Sequence, residues 1–186
     1  MSETVQFMSG GEQLVRMVLR RHRRPCVVTM GTFDGVHSGH RALIAAGRRL
    51  ADERGLPLVA VTFSPRPERL FAPAHALPDL CSIPTRVVLL RDAGADDVVV
   101  IPFMKIVARI SAKRFVRLLV DDLELKALCV GEEFALGRGR AGDVETLRKL
   151  GLEVVAVPCV PAADGRKVSS STLRAAIAGA GAALAL

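Results

Sequence analysis

The sequence predicts an α/β fold, a doubly wound parallel sheet with helices on both faces. Three observations lead there. Short apolar runs alternate with segments of helical period along the chain. The runs are apolar throughout rather than at every second residue, as strands covered on both faces require. Glycine, proline and capping residues fall between the runs, where helices would start and stop.

The elements follow in order. Residues 11–23 read as an amphipathic helix, and 1–24 are taken as an N-terminal basic helix preceding a single domain over 25–186. After Pro25, Cys26 to Met30 is a buried first strand ending at glycine. From Ser38 to Arg54, Leu43, Ile44, Gly47, Leu50 and Ala51 recur at helical spacing, and Gly55 and Pro57 close the segment. Leu58 to Phe63 is the second strand. Pro65, Pro67, Pro73 and Pro78 interrupt residues 64–83, which read as a long functional loop. Pro84 sits in the first turn of a helix to Asp92, closed by Gly94. Val98–Ile101 is the third strand. Ser111 caps a helix through Val120, Leu128–Val130 is the core of the fourth strand, and Asp143 caps a helix ending near Gly151. Val154–Val157 is the fifth strand. A last helix begins near Ser170, and the Ala-, Gly- and Leu-rich run from Ala175 to Leu186 reads as an unfinished helix of a longer protein.

Composition narrows the class. Half the residues are apolar and 24% are charged, which excludes a disordered chain. No apolar run approaches the roughly 18 residues of a membrane span. No signal pattern opens the sequence, so a cytoplasmic protein is expected. The four cysteines, Cys26, Cys81, Cys129 and Cys159, show neither a C-x-x-C pair nor metal-ligand spacing, and are expected to be small buried hydrophobes. A net charge of +7 suits a polyanionic partner, either nucleic acid or a small phosphate compound. Arg16, Arg20, Arg21, Arg23 and Arg24 crowd one stretch, but no phenylalanine lies among them and Trp and Tyr are absent. A stacking platform for nucleic-acid strands is therefore poorly supported, and a solvated helix face explains the arginines as well.

Chemistry concentrates in Gly31-Thr-Phe-Asp-Gly-Val-His37-Ser-Gly-His40, between the first strand and its helix. Gly31 and Gly35 let backbone approach a phosphate, and the helix N-terminus offers N–H groups and partial positive charge. His37 and His40, at i and i+3, can point to one side. The segment reads as an anion site with two imidazoles aimed at it, suited to phosphoryl or nucleotidyl transfer. Asp34 reads as a turn-shaping residue rather than a general base. A metal pair would need a third ligand, and none is arranged nearby in sequence. Gly-Arg-Gly-Arg-Ala-Gly over 137–142 spells G-x-G-x-x-G but is separated from its strand, so it reads as a flexible basic loop near phosphate rather than a dinucleotide-binding turn. Ser169, Ser170 and Ser171 before Arg174 read either as a helix cap with a solvated arginine or as a second anion site.

The segment at 31–40 resembles the signature of the FMN adenylyltransferase module of bacterial FAD synthetases. Thr62-Phe-Ser-Pro-Arg-Pro67, Val130-Gly-Glu-Glu-Phe-Ala-Leu-Gly137 with Arg138–Gly142, and Val168-Ser-Ser-Ser-Thr-Leu-Arg174 resemble that family's further motifs in the same order. The resemblance implies a Rossmann-like doubly wound parallel sheet of the His-x-Gly-His nucleotidyltransferase superfamily. It implies ATP and FMN as substrates with Mg²⁺, and FAD and pyrophosphate as products. Catalytic roles then fall on His37, His40 and Arg174. Nucleotide and flavin contacts fall on Gly31, Thr32, Phe33, Asp34, Gly35, Gly39, Gly131, Glu133, Ser169, Ser170, Ser171, Phe63, Pro65 and Pro67. No direct metal ligand is assigned, with Glu133 the one candidate.

Three positions depart from the family pattern. Arg66 stands where Pro-His-Pro is common, Glu133 where Asp or Asn is usual, and Leu136 where a second Phe is usual. All three are expected to bear on the flavin side more than on ATP. The family's riboflavin kinase domain does not follow, so the chain is either a standalone adenylyltransferase or a fragment, with riboflavin kinase as a candidate partner. Three rivals remain: a related transferase with another phosphate acceptor, a non-catalytic flavin- or nucleotide-binding module, and a nucleic-acid binder using the N-terminal arginines.

Overall fold

The computed structural model describes residues 8–75, 77–159 and 174. Its strands are β1 (Cys26–Met30), β2 (Leu58–Ser64), β3 (Asp97–Pro102), β4 (Leu125–Gly131), β5 (Ala135–Leu136), β6 (Gly142–Asp143) and β7 (Val154–Val157). Among the described residues, five form one parallel sheet in the order β3-β2-β1-β4-β7. β5 and β6 pair antiparallel beside it. The chain builds outward from β1 through β2 to β3, then returns to add β4 and β7. Strand order thus reverses between β1 and β4, the place where ligands bind open sheets of this kind.

Seven helices cover the sheet among the described residues: α1 (Gly10–Arg20), α2 (Ser38–Glu53), α3 (Pro67–Phe71), α4 (Ile83–Asp92), α5 (Lys105–Ala108), α6 (Ala112–Asp122) and α7 (Val144–Lys149). Strand side chains alternate between two cores. Val28, Met30, Val59, Val61, Leu128 and Val130 face α1, α6 and α7. Val27, Leu58, Ala60, Ala127 and Cys129 face α2 and α4. Every residue of β1 is buried, which is why that strand is continuously apolar. α1 joins the first core through the fully buried Val15 and Leu19, and Ser9 closes its start in a reciprocal cap with Glu12.

The structure corrects several expectations. Residues 64–83 are not one structureless loop, because they contain α3 and a 3₁₀ turn at Pro73–His75. These pieces and α5 are too short to show a period in sequence. Cys26 and Cys129 are buried, and burial pushes their thiols up to about 12 and about 11. Cys81 is only half-buried and Cys159 is exposed, so the all-buried expectation fails for these two. The final helix expected near Ser170 lies outside the described residues.

The N-terminal arginines are largely neutralised within the fold. Arg16 and Arg20 donate to buried Asp122 at 3.1 and 2.8 Å, Arg23 to Glu124 at 2.8 Å, and Arg24 lies 3.7 Å from Asp97. A single-sign stripe for a phosphate backbone is not what this face presents.

Candidate active site

The turn from β1 into α2 places the two histidines. Phe33, Gly35 and Val36 adopt positive φ of 49°, 76° and 37°, a costly conformation for the branched Val36. Burial of Phe33 and Val36 in the second core holds the turn in place. His37 stands at the N-cap of α2 and its side chain makes no capping bond. By contrast, Ser9, Ser82, Ser111 and Asp143 cap α1, α4, α6 and α7 with side-chain oxygens. The first-turn N–H groups of α2, including that of Gly39, are thus left for an acceptor other than the cap residue.

The imidazoles of His37 and His40 stack with centroids 3.7 Å apart and planes 21° from parallel. Phe33 meets His40 edge-on at 5.2 Å. Burial lowers the pKa of both rings, and the neighbouring His37 lowers that of His40 further, to about 3. Both rings are therefore neutral near pH 7, each with one N–H donor and one acceptor nitrogen. Each Nδ1 is buried without a hydrogen-bond partner among the described residues. A phosphate oxygen is the kind of group that completes such a nitrogen once it carries the proton.

Asp34, in the same turn, is fully buried and serves as a hub. It accepts from the Leu80 N–H at 2.9 and 3.1 Å and from the Cys81 N–H at 3.4 Å. Arg86 donates to its Oδ1 at 3.3 Å, Arg66 Nε lies 3.5 Å from Oδ2, and Arg174 bonds to Oδ2 as well. Burial alone would raise the Asp34 carboxyl, but the Leu80 bond and the charges of Arg174 and Arg66 outweigh it and hold the group below its ordinary value. Asp34 is thus a persistent anion that ties the turn to residues 77–81. Arg174 also donates to Pro78 O at 3.1 Å, which brings it to the histidine turn across a long sequence separation.

Beyond the carboxyl ends of β2 and β3 opens a cavity of about 620 Å³. Phe63, Phe71, Phe103, Phe115 and Phe134 line it, with Arg140 at its edge. Phe63 and Phe103 meet edge-to-face at 5.5 Å, as do Phe71 and Phe103 at 6.1 Å. Most of these residues belong to the first core, whereas the histidine turn belongs to the second. The two features therefore lie on opposite faces of the sheet, both at the carboxyl end of its strands.

The remaining sequence candidates separate. Gly31 donates its N–H to Val61 O at 3.1 Å, and Thr32 O accepts from the Thr62 hydroxyl at 2.9 Å. Phe63 and Pro67 line the cavity, while Pro65 is exposed and does not line it. Gly131 ends β4 and Glu133 is exposed in the following turn, its carbonyl accepting from Arg140 at 3.1 Å. Leu136 lines the cavity. Arg66 does not: it is 4% exposed and bonds to Leu77 O at 2.6 Å and to Asp79. Its guanidinium turns into the acidic hub at Asp34 and Asp79 rather than toward the cavity. The loop 137–142 is not a loose basic loop. Arg138 N–H donates to Ile110 O at 2.8 Å, and Gly137 and Gly142 pack so tightly on Ala112 that no Cβ fits. Ser169, Ser170 and Ser171 lie outside the described residues. Sequence reasoning missed Arg86 and the cavity phenylalanines 71, 103, 115 and 134. Phe134 stands in the motif segment 130–137, and Phe103 continues the Val99, Ile101 alternation of β3.

Among the described residues, no group of three or more His, Cys, Asp or Glu side chains is arranged to hold a metal.

Sheet order, the strand-turn-helix with its uncapped start and the paired imidazoles fit a Rossmann-like α/β domain of the nucleotidyltransferase type. The family model for FAD synthetase matches residues 19–172, and the chain belongs to that family. It is 39% identical over 180 residues to a bifunctional riboflavin kinase/FMN adenylyltransferase of Pseudomonas fluorescens, covering 90% of this chain and 56% of that protein. The protein of the same description from Escherichia coli (strain K12) is 37% identical over 164 residues, covering 86% of this chain and 52% of that one. The chain thus spans about half the length of these curated relatives. A crystal structure of a macrolide-efflux protein from Streptococcus pneumoniae superposes with a TM-score of 0.76 at 26% identity, over 85% of this chain and 53% of that one. No helix among the described residues is long and apolar enough to cross a membrane.

Proposed function

We propose that this chain transfers AMP from ATP to FMN, giving FAD and pyrophosphate. One observation carries the reading: a stacked, neutral histidine pair at an uncapped helix start shares the carboxyl end of the sheet with a phenylalanine-lined cavity. Triphosphate belongs at the first and a planar heteroaromatic ring at the second. Family membership and the relatives' printed descriptions support the same donor and acceptor.

In this reading an oxygen of the FMN phosphate attacks the α-phosphorus of ATP in line. The new P–O bond forms as the Pα–O bond to pyrophosphate breaks, with no covalent enzyme intermediate. The FMN phosphate is already ionised near pH 7, so no general base is needed. His37 and His40 donate to the phosphate oxygens where charge accumulates, and the α2 N-terminus adds backbone donors. Arg174 meets the departing pyrophosphate, with Ser169, Ser170 and Ser171 holding its oxygens. Gly31 to Gly35 and Gly39 shape the nucleotide side. Phe63, Pro67 and Leu136 contact the isoalloxazine, with Gly131 and Glu133 at the border between the two. Mg²⁺ enters as part of MgATP, the substrate. The setting is the cytoplasm, and FMN comes from the phosphorylation of riboflavin, by a riboflavin kinase on this or another chain.

The experiment is direct. Purified protein with ATP, Mg²⁺ and FMN is expected to form FAD and pyrophosphate in equal amounts. Pyrophosphate release with another phosphate acceptor but not with FMN would sink the reading.

A further inference from the structure

The buried charges around Asp34 are unevenly matched. Arg66, Arg86 and Arg174 reach the carboxylate from the end of β2, from α4 and from the far end of the described chain. Arg66 and Arg69 also reach Asp79, and Arg66 lies 3.8 Å from Glu68. Among the described residues four guanidinium groups thus face three carboxylates, and without Arg66 these two sets balance. The centre of the network is dry, with Asp34 fully buried and the Arg86 and Arg66 side chains 1% and 4% exposed. Pairwise interactions there are weakly screened.

Arg66 and Arg174 compete for the same oxygen, Asp34 Oδ2. A carboxylate bound to Arg174 alone would largely cancel that guanidinium, and an incoming polyphosphate would have to displace it. A carboxylate already shared with Arg66 and Arg86 fixes where Arg174 stands while taking up less of its charge. We infer that Arg66 is a positioning residue for ATP: by sharing Asp34 it leaves Arg174 beside the His37–His40 turn with its charge available to the triphosphate. This rests on the reading of Arg174 given above. It also moves the role of position 66 from the flavin side to the phosphate side.

The test is a double-mutant cycle read as ATP affinity by calorimetry, alongside KM and kcat for FAD formation. Arg66→Gln is expected to weaken ATP binding by about five- to twenty-fold, with KM for ATP rising in step and kcat and KM for FMN changing less. Arg66→Lys retains the charge and is expected to recover most of the affinity. In an Arg174→Ala background, Arg66→Gln is expected to change ATP affinity less than about two-fold. An equal loss in both backgrounds overturns the inference. If Arg66→Gln does not fold, Arg66→Lys decides: binding as weak as that of Arg174→Ala at an unchanged melting temperature also overturns it. Failure to form FAD while ATP still binds sinks only the FMN reading, because the affinities do not depend on the acceptor.

Discussion

His37 and His40 stack face to face at 3.7 Å, closer than two charged rings would rest, and burial keeps both neutral. The pair acts as one unit, each ring limiting the orientation and charge of the other. His37→Ala and His40→Ala are each expected to lower kcat for FAD formation by about 10²–10³-fold. The double variant should lose little more than either single one, because residues acting as a unit are non-additive. Steady-state rates on variants with unchanged circular dichroism check this. Losses that multiply would show that the rings act separately.

The same neutrality makes the fold sensitive to acid. His40 titrates near 6.5 when unfolded and at about 3 when folded. Its contribution is fully present above pH 6.5. As pH falls toward 3, the unfolded chain takes up a proton that the folded chain refuses, so stability declines. Asp34, held below 3.8, adds a separate loss at still lower pH. Urea midpoints between pH 7 and 4.5 should therefore fall more steeply for the unaltered protein than for His40→Asn. Parallel slopes would refute the assignment.

The cavity offers a selective lesion. Phe103 touches both Phe63 and Phe71 edge-on. Each such contact is worth about 0.5–1.5 kcal/mol beyond burial. Phe103→Ala is expected to raise KM for FMN several-fold and leave ATP affinity within about two-fold, since the two features lie on opposite faces of the sheet. A variant that weakened both ligands equally would mean that they share one chamber.

Gly35 tests the turn. A Cβ there would meet Leu80 Cδ1 at 2.9 Å, and φ is +76°. Gly55, at φ +62°, has nothing within 4 Å. Gly55→Ala should cost about 1 kcal/mol from backbone conformation alone. Gly35→Ala should cost more, about 2–3 kcal/mol, by adding the push on Leu80 and its bond to Asp34. It should slow FAD formation too, whereas Gly55→Ala should not. Denaturant titrations of the pair decide it, and equal costs would contradict the packing argument.

How much of this was legible beforehand depended on distance along the chain. β1, its glycine turn and α2 could be read because apolar run, glycines and histidines are contiguous. β2, β3, β4 and β7 followed from composition. The cavity could be read only in part: Phe63, Pro67, Phe134 and Leu136 stand in motif segments, whereas Phe71, Phe103 and Phe115 come from separate elements that carry no motif. The direction of Arg66 could not be read: Pro65 and Pro67 announce a turn, but Asp34 and Asp79, which attract the guanidinium, are distant in sequence. Asp34 was rightly read as shaping its turn, yet nothing local revealed that three arginines converge on it.

The placement of the histidine turn and the aromatic cavity on opposite faces of the sheet, at its carboxyl end, has a kinetic meaning. In the proposed reaction the two substrates would arrive separately, one at each feature. Once joined, they would form a single body spanning the carboxyl end of the sheet, held on both flanks. The bond the site makes would thus convert two independent exits into one concerted departure.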